Sequence, residues 1–444
     1  QLPILYRNER DVADRRHAYT QALNALATGD THPMQAAIGT TQPFFLPYQG
    51  ENDRTLQATY GQLACRALAA STPPAPLAKP PRPDQRIRLG IVSGYFHDHT
   101  IFKLFLESWL TQLDRTRFAI TAFHTGATTD AHTSRCAALC DRFVHDLPTP
   151  AAWHTAISET APHVLLYPEI GMDPTAGRLA AIRLAPVQCV AWGHPETTGL
   201  PTIDYFLSSD LMEPPDAQSH YTERLVRLPH LGLYYEPDTK PPPTPPNPRS
   251  PEPVFWSGQA LYKYLPRYDF LYPRIAAELG PCRFIFIAFA KSPAVTALFR
   301  DRLHQAFAAA GLDSASHVTI LPPMSQQQYL QSVASADVIL DTPGWSGGKS
   351  TLDCLAVNPA IVTLPGRFMR GRHTAAILRH IQCETTIARS EDHYVALATS
   401  LASDPDRRAT LRQSVARQKS RAFRDRLPIR ALEQFLTEAV SRHA

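Results

Sequence analysis

Features that would place this chain in a special class are scarce in its sequence. Of its 444 residues only 19% are charged, and 44 basic against 40 acidic residues leave a net charge of +4. Proteins that bind nucleic acids gather basic residues into a patch or stripe, which such a balance does not favour. No apolar run approaches the roughly 20 residues that a membrane-spanning helix needs. We therefore expect neither a nucleic-acid partner nor a membrane.

Cysteine is also sparse. The seven cysteines are odd in number and scattered, and only Cys136 and Cys140 lie close together, without nearby His or Cys partners at metal-ligand spacing. We therefore expect no disulfide framework and no structural zinc, and a reducing compartment suits this pattern better than an oxidising one. The first residues show no basic and apolar leader. The sequence thus predicts a cytoplasmic protein.

The texture of the chain changes along its length and predicts an α/β protein with several domains. Residues 1–85 have helical periodicity and end in a proline-rich stretch, so we predict an N-terminal helical cap and linker. Residues 86–236 alternate short β-rich runs with amphipathic helices, which is typical of a doubly wound sheet. Residues 237–253 are dense in proline and predict a semi-rigid linker, with a disordered insertion as the alternative. The alternation resumes over residues 254–444, which we predict to form a second domain with closing helices.

Runs of β-branched and aromatic residues predict the buried strands of both domains. In the first domain these runs are Ile87–Ser93, Phe118–Phe123, Val164–Tyr167 and Val187–Trp192. In the second domain they are Val254–Ser257, Arg283–Ala288, Val318–Leu321, Val338–Asp341 and Ile361–Leu364. Two such domains are expected to face a cleft, with the open ends of their parallel strands directed toward it.

The strongest motif runs from Asp341 to Asp353. A strand ends at Asp341, a loop containing Gly347 and Gly348 follows, and a helix begins near Ser350. Free backbone N–H groups at such a helix start bind anions, and the glycines let a ligand approach the backbone closely. The side-chain donors suited to phosphate oxygens are Lys349, Ser350 and Thr351. The spacing differs from that of a Walker A loop. The sequence predicts a phosphate site, with a helix start and tightly packed glycines as the alternative.

Two further residues are candidates for the same ligand. Asp353 shares a helical face with Ser350, where its carboxylate can accept hydrogen bonds from ribose hydroxyls or merely complete a capping box. Lys263 ends the run Gly258-Gln-Ala-Leu-Tyr-Lys just after the first strand of the second domain. A lysine at that position can neutralise a diphosphate, although most lysines are solvated surface groups.

Two turns of the first domain carry candidate chemistry. Residues 93–99 follow its first strand and place His97 and His99 on either side of Asp98. Histidine accepts protons near neutral pH, so this turn predicts acid–base chemistry. Metal binding by the three residues and a purely structural role are the alternatives. Residues 192–199 form the second turn, which either lines a ligand site or only shapes the chain.

Taken together, these motifs resemble the catalytic region of the O-GlcNAc transferase family, including its bacterial members and its SPINDLY branch. The resemblance covers the chain from about Arg86 to the C-terminus. The matching segments are Arg88–His99, Ala185–Pro195, Gly199–Tyr205, Gln259–Lys263, Ala336–Pro343 and Gly347–Asp353. The run Gly193-His-Pro-Glu-Thr-Thr198 is also similar to the family's cytoplasmic N-glucosyltransferases.

The resemblance implies a GT-B architecture of two Rossmann-like domains and an inverting, metal-independent transfer of a sugar. The donor would be a nucleotide sugar acting as co-substrate, with UDP carrying GlcNAc or another hexose, and no further cofactor. The acceptor would be a Ser, Thr or Asn side chain of a protein. A GDP-fucose-type protein O-fucosyltransferase, a nucleotide-sugar isomerase and a catalytically silent protein-binding module are the alternatives.

Site residues follow from the same resemblance. His99 would be the base or an orienting histidine, and Lys263 would contact the leaving diphosphate. The predicted nucleotide-sugar contacts are Gln259, Lys263, Met324, Tyr329, Gly347, Gly348, Lys349, Ser350, Thr351 and Asp353. The residues expected to line the acceptor side of the cleft are His97, His194, Thr197, Thr198 and His373.

Some positions depart from the pattern of family enzymes that use UDP-GlcNAc. Those enzymes commonly have His at the position of Tyr329, His-Thr-Thr at residues 348–350 and a lysine near Gln326. These departures leave the identity of the donor open. Family members also often carry tetratricopeptide repeats upstream, and residues 1–85 are too short for such an array.

Overall fold

A computed structural model describes residues 2–30, 34–39, 43–82, 84–237 and 252–442. The chain divides into two compact units. One comprises Ala18–Pro47, Asn52–Glu236 and Asp425–Ala444, and we call it the seven-stranded unit after its sheet. The other comprises Gln1–His17, Tyr48–Glu51 and Pro237–Arg424, and we call it the five-stranded unit. Within the predicted linker 237–253, only residues 237, 252 and 253 belong to the described part of the chain.

Helices and strands alternate along most of the chain. Up to residue 236 the elements are α1 (Glu9–Thr28), α2 (Arg54–Ala69), β1 (Ile87–Ser93), α3 (Glu107–Gln112), β2 (Phe118–His124), α4 (Ala131–Leu139), β3 (Arg142–His145), α5 (Pro150–Thr160), β4 (Val164–Tyr167), α6 (Pro174–Ala180), β5 (Val187–Ala191), β6 (Tyr205–Ser209) and β7 (Arg224–Leu228). After residue 252 they are β8 (Val254–Trp256), α7 (Leu271–Leu279), β9 (Arg283–Ile287), α8 (Pro293–Ala309), β10 (Val318–Leu321), α9 (Gln326–Ser335), β11 (Val338–Leu340), α10 (Lys349–Cys354), β12 (Ile361–Val362), α11 (His373–His380), α12 (Glu391–Ser403), α13 (Pro405–Gln418) and α14 (Leu427–Arg442).

The seven-stranded sheet is parallel throughout, in the order β3-β2-β1-β4-β5-β6-β7. All residues of β4, β5 and β6 are buried, as expected for strands covered on both faces. The direction of the strand order reverses between β1 and β4. In open α/β sheets a ligand crevice forms at such a reversal, beyond the carboxyl ends of the strands.

The five-stranded sheet is also parallel, in the order β10-β9-β8-β11-β12. Its order reverses between β8 and β11, which places the segments after these two strands at the corresponding crevice. The largest buried side chains of this unit include Trp256, Phe255 and Phe284. The predicted α/β class with two doubly wound, Rossmann-like sheets is therefore confirmed.

The units do not follow the order of the chain as the predicted domains do. The C-terminal helix α14, predicted as part of the second domain, belongs to the seven-stranded unit. Its Glu433 carboxylate accepts a hydrogen bond from the Asp114 backbone N–H at 2.7 Å, and its Phe435 ring meets Tyr205 edge to face at 5.0 Å. The amphipathic pattern of α14 explains this position, because its apolar face is buried in that unit.

The N-terminal residues belong to the five-stranded unit. Leu5, Tyr6 and Val12 are buried, although the sequence suggested only a helical cap. The Arg302 guanidinium donates a hydrogen bond to the Tyr6 carbonyl oxygen at 3.1 Å, and the Gln49 amide donates to the Tyr6 hydroxyl at 2.9 Å. The first residues of the chain therefore complete a core whose strands follow much later in the sequence.

None of the helices in the described ranges combines the length and the apolar character that crossing a membrane requires.

Candidate functional site

Lys263 lies in the five-stranded unit, in a 3₁₀ turn (Leu261–Lys263) shortly after β8. Its ammonium donates a hydrogen bond to the Gln259 side-chain oxygen at 2.9 Å, and the Gln259 amide donates to the Ser350 hydroxyl at 3.0 Å. This chain of hydrogen bonds joins the segment after β8 to the first turn of α10, which follows β11. Burial lowers the pKa of Lys263 to about 8, while the nearby Asp341 carboxylate acts in the opposite direction. The group is therefore mostly a cation at neutral pH.

The loop after β11 is ordered by the buried carboxylate of Asp341. One oxygen accepts hydrogen bonds from the hydroxyls of Ser346 and Thr363, each at 2.7 Å, and the other accepts from the Gly347 backbone N–H at 2.8 Å. Burial raises the pKa of Asp341, and these hydrogen bonds oppose the rise by favouring the charged form. Asp341 thus fixes the path of the loop that leads to α10.

Gly347 sits where a side chain has no room. A Cβ atom there would lie 2.6 Å from the Thr351 hydroxyl oxygen and 2.8 Å from the Gln259 amide nitrogen. The Thr351 hydroxyl also lies 2.8 Å from the Thr374 hydroxyl of α11, which binds α10 to its neighbour. Gly347 is therefore packed against side chains of its own unit, and its N–H and carbonyl oxygen are bonded to Asp341 and to the Thr374 hydroxyl. Close approach of a ligand to this residue stays a prediction.

Asp353 is paired within the protein. Its carboxylate accepts hydrogen bonds from the Lys349 ammonium at 2.6 Å and from the Gln326 amide at 2.7 Å. The helix starts after Gly348 without a side-chain cap, so Asp353 completes no capping box. The structure therefore brings Asp353, Lys349 and Gln326 together. The contact of Asp353 with a ribose stays a prediction.

Met324 and Tyr329 lie against the hydrophobic cluster around Trp256. The half-buried Tyr329 ring meets Trp256 edge to face at 5.5 Å, and its hydroxyl lies 3.7 Å from the Cys354 sulfur. Both residues therefore pack against this cluster, and Tyr329 of α9 contacts the last residue of α10. Stacking of Tyr329 on a nucleotide base, as the resemblance implied, stays a prediction.

His373 begins α11 in the same unit as Lys263. Burial lowers the pKa of His373 to about 3, and the positive charge of Lys263 adds to that effect. A neutral imidazole therefore lies near the lysine. The sequence placed His373 with residues lining the acceptor side, whereas the structure groups it with the predicted diphosphate contacts.

In the seven-stranded unit, His97 and His99 follow β1. The Tyr95 ring stacks on His99 at 4.1 Å, and the two histidine rings meet edge to face at 5.8 Å. Burial, with a smaller contribution from His97, lowers the pKa of His99 to about 4. The His99 Nδ1 atom accepts a hydrogen bond from the Ile101 backbone N–H at 3.2 Å. In the neutral ring the proton therefore resides on Nε2, which makes Nε2 a donor.

The metal-binding alternative for residues 97–99 gains no support from this arrangement. In the part of the chain that the structure describes, these side chains do not converge with a third His, Cys or acidic ligand. The independence of the reaction from metals stays a prediction.

Glu169, which the sequence analysis missed, lies just beyond the carboxyl end of β4 in the seven-stranded unit. It is only 1% exposed, and one carboxyl oxygen accepts a hydrogen bond from the Met172 backbone N–H at 3.0 Å. The other oxygen has no hydrogen-bond partner within the described ranges. Burial, followed by the charge of Asp173, raises the pKa of Glu169 to about 8. An acidic residue directly after an apolar strand was the available signal.

The turn after β5 holds His194, Thr197 and Thr198. Burial lowers the pKa of His194 to about 4, and its ring lies against Gly171, where a Cβ atom would be 3.3 Å from the imidazole. Thr197 donates a hydrogen bond from its hydroxyl to Glu223 at 2.6 Å, and Thr198 donates from its backbone N–H at 2.7 Å. Both threonines are buried. They shape the turn, while His194 lies near the loop that carries Glu169.

The sequence is similar to a known family and to several of its members. The sequence matches the family model Glycosyl transferase family 41 over residues 45–235 and 296–428. The Arabidopsis thaliana protein SPINDLY, a probable UDP-N-acetylglucosamine–peptide N-acetylglucosaminyltransferase, is 28% identical over 349 residues, which is 75% of this chain and 37% of the relative. The UDP-glucose:protein N-beta-glucosyltransferase of Actinobacillus pleuropneumoniae is 25% identical over 256 residues, 57% of this chain and 40% of that protein. The chain thus spans well under half the length of these relatives.

Among solved structures, a mutant of the Thermobaculum terrenum O-GlcNAc transferase superposes with a TM-score of 0.75 at 25% sequence identity. The superposition covers 98% of this chain and 82% of that one. The resemblance inferred from the sequence motifs is therefore confirmed at the level of family and fold.

Proposed function

Because the chain belongs to glycosyl transferase family 41, we propose that it is a protein glycosyltransferase that uses a nucleotide sugar as donor. One observation carries the proposal. The hydrogen-bonded chain Lys263–Gln259–Ser350 lies where the strand order of the five-stranded sheet reverses, at the start of α10, which has no side-chain cap. A cation and the uncapped backbone N–H groups of a helix start at such a position suit a diphosphate.

The proposed reaction is an in-line displacement at the anomeric carbon of the sugar. An oxygen or nitrogen of the acceptor side chain forms the new bond while the bond from that carbon to the diphosphate oxygen breaks. The electron pair leaves with the diphosphate, the acceptor proton passes to a diphosphate oxygen or to water, and the configuration at carbon inverts. We propose that Lys263 and the donors of residues 347–351, rather than a metal ion, stabilise the negative charge that develops on the leaving diphosphate.

The position of the proton on His99 suggests its part in this reaction. Its Nδ1 atom is occupied by the Ile101 backbone N–H, so the neutral ring presents Nε2 as a hydrogen-bond donor. We therefore propose that His99 orients a reacting group and does not receive the acceptor proton at Nε2. Its low pKa, about 4, also makes it a weak base.

The sugar and nucleotide are the finer part of the proposal. The relatives named for UDP-N-acetylglucosamine and UDP-glucose favour a UDP-sugar. The departures at Tyr329 and residues 348–350 keep a GDP-sugar, as in a protein O-fucosyltransferase, as the second candidate.

A direct test incubates the purified protein with UDP-GlcNAc, UDP-glucose and GDP-fucose, each with and without a protein lysate. Release of the nucleoside diphosphate is measured, and mass spectrometry identifies the modified side chains. We expect release from one donor that depends on added protein, with a matching mass increase on Ser, Thr or Asn. Conversion of a free nucleotide sugar into another one in the absence of added lysate would instead identify an isomerase. The absence of both nucleotide binding and turnover would identify a silent module.

A further inference from the structure

A short segment from the N-terminal region, residues 48–51, lies against the candidate diphosphate site. This segment falls between α1 and α2 in the chain but belongs to the five-stranded unit. A 3₁₀ turn, Pro47–Gln49, includes the first two residues of the segment, whose sequence is Tyr-Gln-Gly-Glu from Tyr48 to Glu51. Its contacts reach both chain segments that form the site.

Tyr48 joins those two segments through its ring. It stacks on Trp345 with ring centroids 3.8 Å apart and an interplanar angle of 17°, and it meets Tyr262 at 4.6 Å with an angle of 64°. Trp345 lies two residues before Gly347, and Tyr262 directly precedes Lys263. A single buried side chain therefore contacts the neighbours of both the glycine loop and the lysine.

Two arginines hold the backbone of the segment. The Arg370 guanidinium donates a hydrogen bond to the Glu51 carbonyl oxygen at 2.7 Å, while the Arg370 carbonyl oxygen accepts one from the Ser346 N–H at 2.8 Å. Arg267 donates to the Gln49 carbonyl oxygen at 3.1 Å and to the Glu51 carboxylate at 3.0 Å. The segment is thus tied to the loop after β11 through Arg370, and to the chain beyond Lys263 through Arg267.

Leu265 provides a third contact, because both the segment and the loop after β11 lie against its Cδ1 methyl group. Gly50 and Gly344 both have left-handed backbones, with φ of 75° and 84°. A Cβ atom on either would lie 2.7 Å or 2.6 Å from the same Leu265 Cδ1 atom. Only glycine combines that conformation with so close an approach. The segment, the loop and the turn after Lys263 therefore pack around Leu265.

We propose that residues 48–51 are a positioning element for the diphosphate site and that Tyr48 is its positioning residue. Asp341 holds this loop at Ser346 and Gly347, and the freedom that its preceding residues keep must be lost when the loop binds a ligand. The stacked ring of Tyr48 restricts Trp345 before the ligand arrives, so less freedom is lost on binding. The inference rests on the proposed function for the identity of the ligand, a nucleoside diphosphate.

The test compares nucleotide affinity in the intact chain and three variants, with UDP and GDP as the probes in calorimetry. Tyr48→Leu removes the aromatic stack, and we expect it to weaken binding roughly three- to tenfold. Tyr48→Phe keeps the ring and should restore near-normal affinity. In steady-state assays Tyr48→Leu should raise KM for the donor and leave KM for the acceptor unchanged. Phe435→Leu is the matched control, because it disrupts the ring pair with Tyr205 in the seven-stranded unit and should lower only the unfolding midpoint.

Arg267→Gln provides a second variant in case Tyr48→Leu does not fold. The Arg267 side chain is 31% exposed, so its loss removes two anchors of the segment without opening a core. We expect weaker nucleotide binding in the same direction as for Tyr48→Leu. Affinity within about twofold of the parent chain in every folded variant among these two would overturn the positioning role. Failure of the parent chain to bind either nucleotide would instead overturn the proposed function, and the inference with it.

Discussion

At Lys263, burial and a neighbouring carboxylate act against each other on one ammonium group. The protein lowers the pKa of Lys263 to about 8 yet keeps the group hydrogen-bonded to Gln259. A partly desolvated cation interacts strongly with a developing negative charge because little solvent screens it. The residue is therefore suited to a transition state in which a diphosphate departs.

Replacing Lys263 by alanine should reduce kcat for sugar transfer by about two orders of magnitude or more, the usual loss for one preorganised donor. The measurement is steady-state turnover of the purified variant, with circular dichroism as the control for folding. Near-normal turnover would remove the lysine from the mechanism.

The same lysine predicts a pH dependence. Because its pKa is lowered to about 8, the free enzyme loses this positive charge as the pH rises through that value. We expect kcat/KM for the donor to fall at alkaline pH, since kcat/KM reports groups of the free enzyme. The Lys263→Ala variant should lack this alkaline decline. An identical decline in the variant would assign it to another group.

Glu169 predicts a dependence of stability on pH. Its pKa is raised from 4.5 to about 8 in the folded protein, so between these values the folded state holds a proton that the unfolded chain releases. Its contribution to stability is present below the lower value and is lost as the pH rises through the upper one. Glu169→Gln, which stays neutral, should lose less stability across this window. Urea unfolding at several pH values measures this, and parallel curves for both proteins would contradict it.

Among the structural elements, the loop after β11 depends on the absence of a side chain at Gly347. Gly347→Ala would place a methyl group 2.8 Å from the Gln259 amide nitrogen and 2.9 Å from the Ser350 hydroxyl. We expect it to break the hydrogen bond between these side chains and to weaken nucleotide binding, at a stability cost of about 1–3 kcal/mol for overpacking. Calorimetry and thermal unfolding measure both effects. Gly29→Ala is the control, because its nearest atoms would lie at ordinary distances of 3.5 and 3.7 Å. Unchanged nucleotide affinity in Gly347→Ala would contradict the assigned role of the loop.

The place of a strand in its sheet did not decide whether the sequence predicted it. The edge strand β10 was predicted, whereas the buried inner strand β6 was missed together with the edge strands β3 and β7. The bounds of β1, β4 and β10 agree with the predictions because each run is rich in β-branched and other apolar residues and ends just before Gly94, Pro168 or Pro322. The strands β3 and β7 were missed because arginines and partly exposed positions interrupt their apolar pattern, as is common at sheet edges. A π-helical turn, Phe102–Leu106, directly precedes α3, and no pattern in the sequence indicated it.

The candidate site was also predictable only in part. The motifs predicted the loop after β11 and Lys263 as candidates, and the structure joins the two through Gln259 and Ser350. The approach of His373 to Lys263 and the stacking of Tyr48 on Trp345 join residues far apart in the chain. No local pattern encodes such contacts, since they depend on how whole elements pack.

At the scale of the whole molecule, the N-terminal residues matter for a unit whose strands lie far along the chain. Deleting residues 1–17 would remove Leu5, Tyr6 and Val12 from the core of the five-stranded unit. Each buried side chain of this kind contributes roughly 1.5–3 kcal/mol. We expect the truncated protein to unfold at a lower temperature and to bind UDP or GDP more weakly. Differential scanning calorimetry and nucleotide titration test this, and an unchanged midpoint would contradict the assignment of these residues to that core.

The way the chain passes between its two units constrains its synthesis. The buried residues near the N-terminus leave the ribosome long before β8, and α14 follows only after the last element of the five-stranded unit. Neither core is complete until nearly the whole of this chain has been translated, so a nascent chain must carry unsatisfied apolar side chains for most of that time. Such intermediates are prone to aggregate. Production of this protein should therefore respond to translation speed and to chaperones that shield the segment containing Leu5, Tyr6 and Val12 as it emerges.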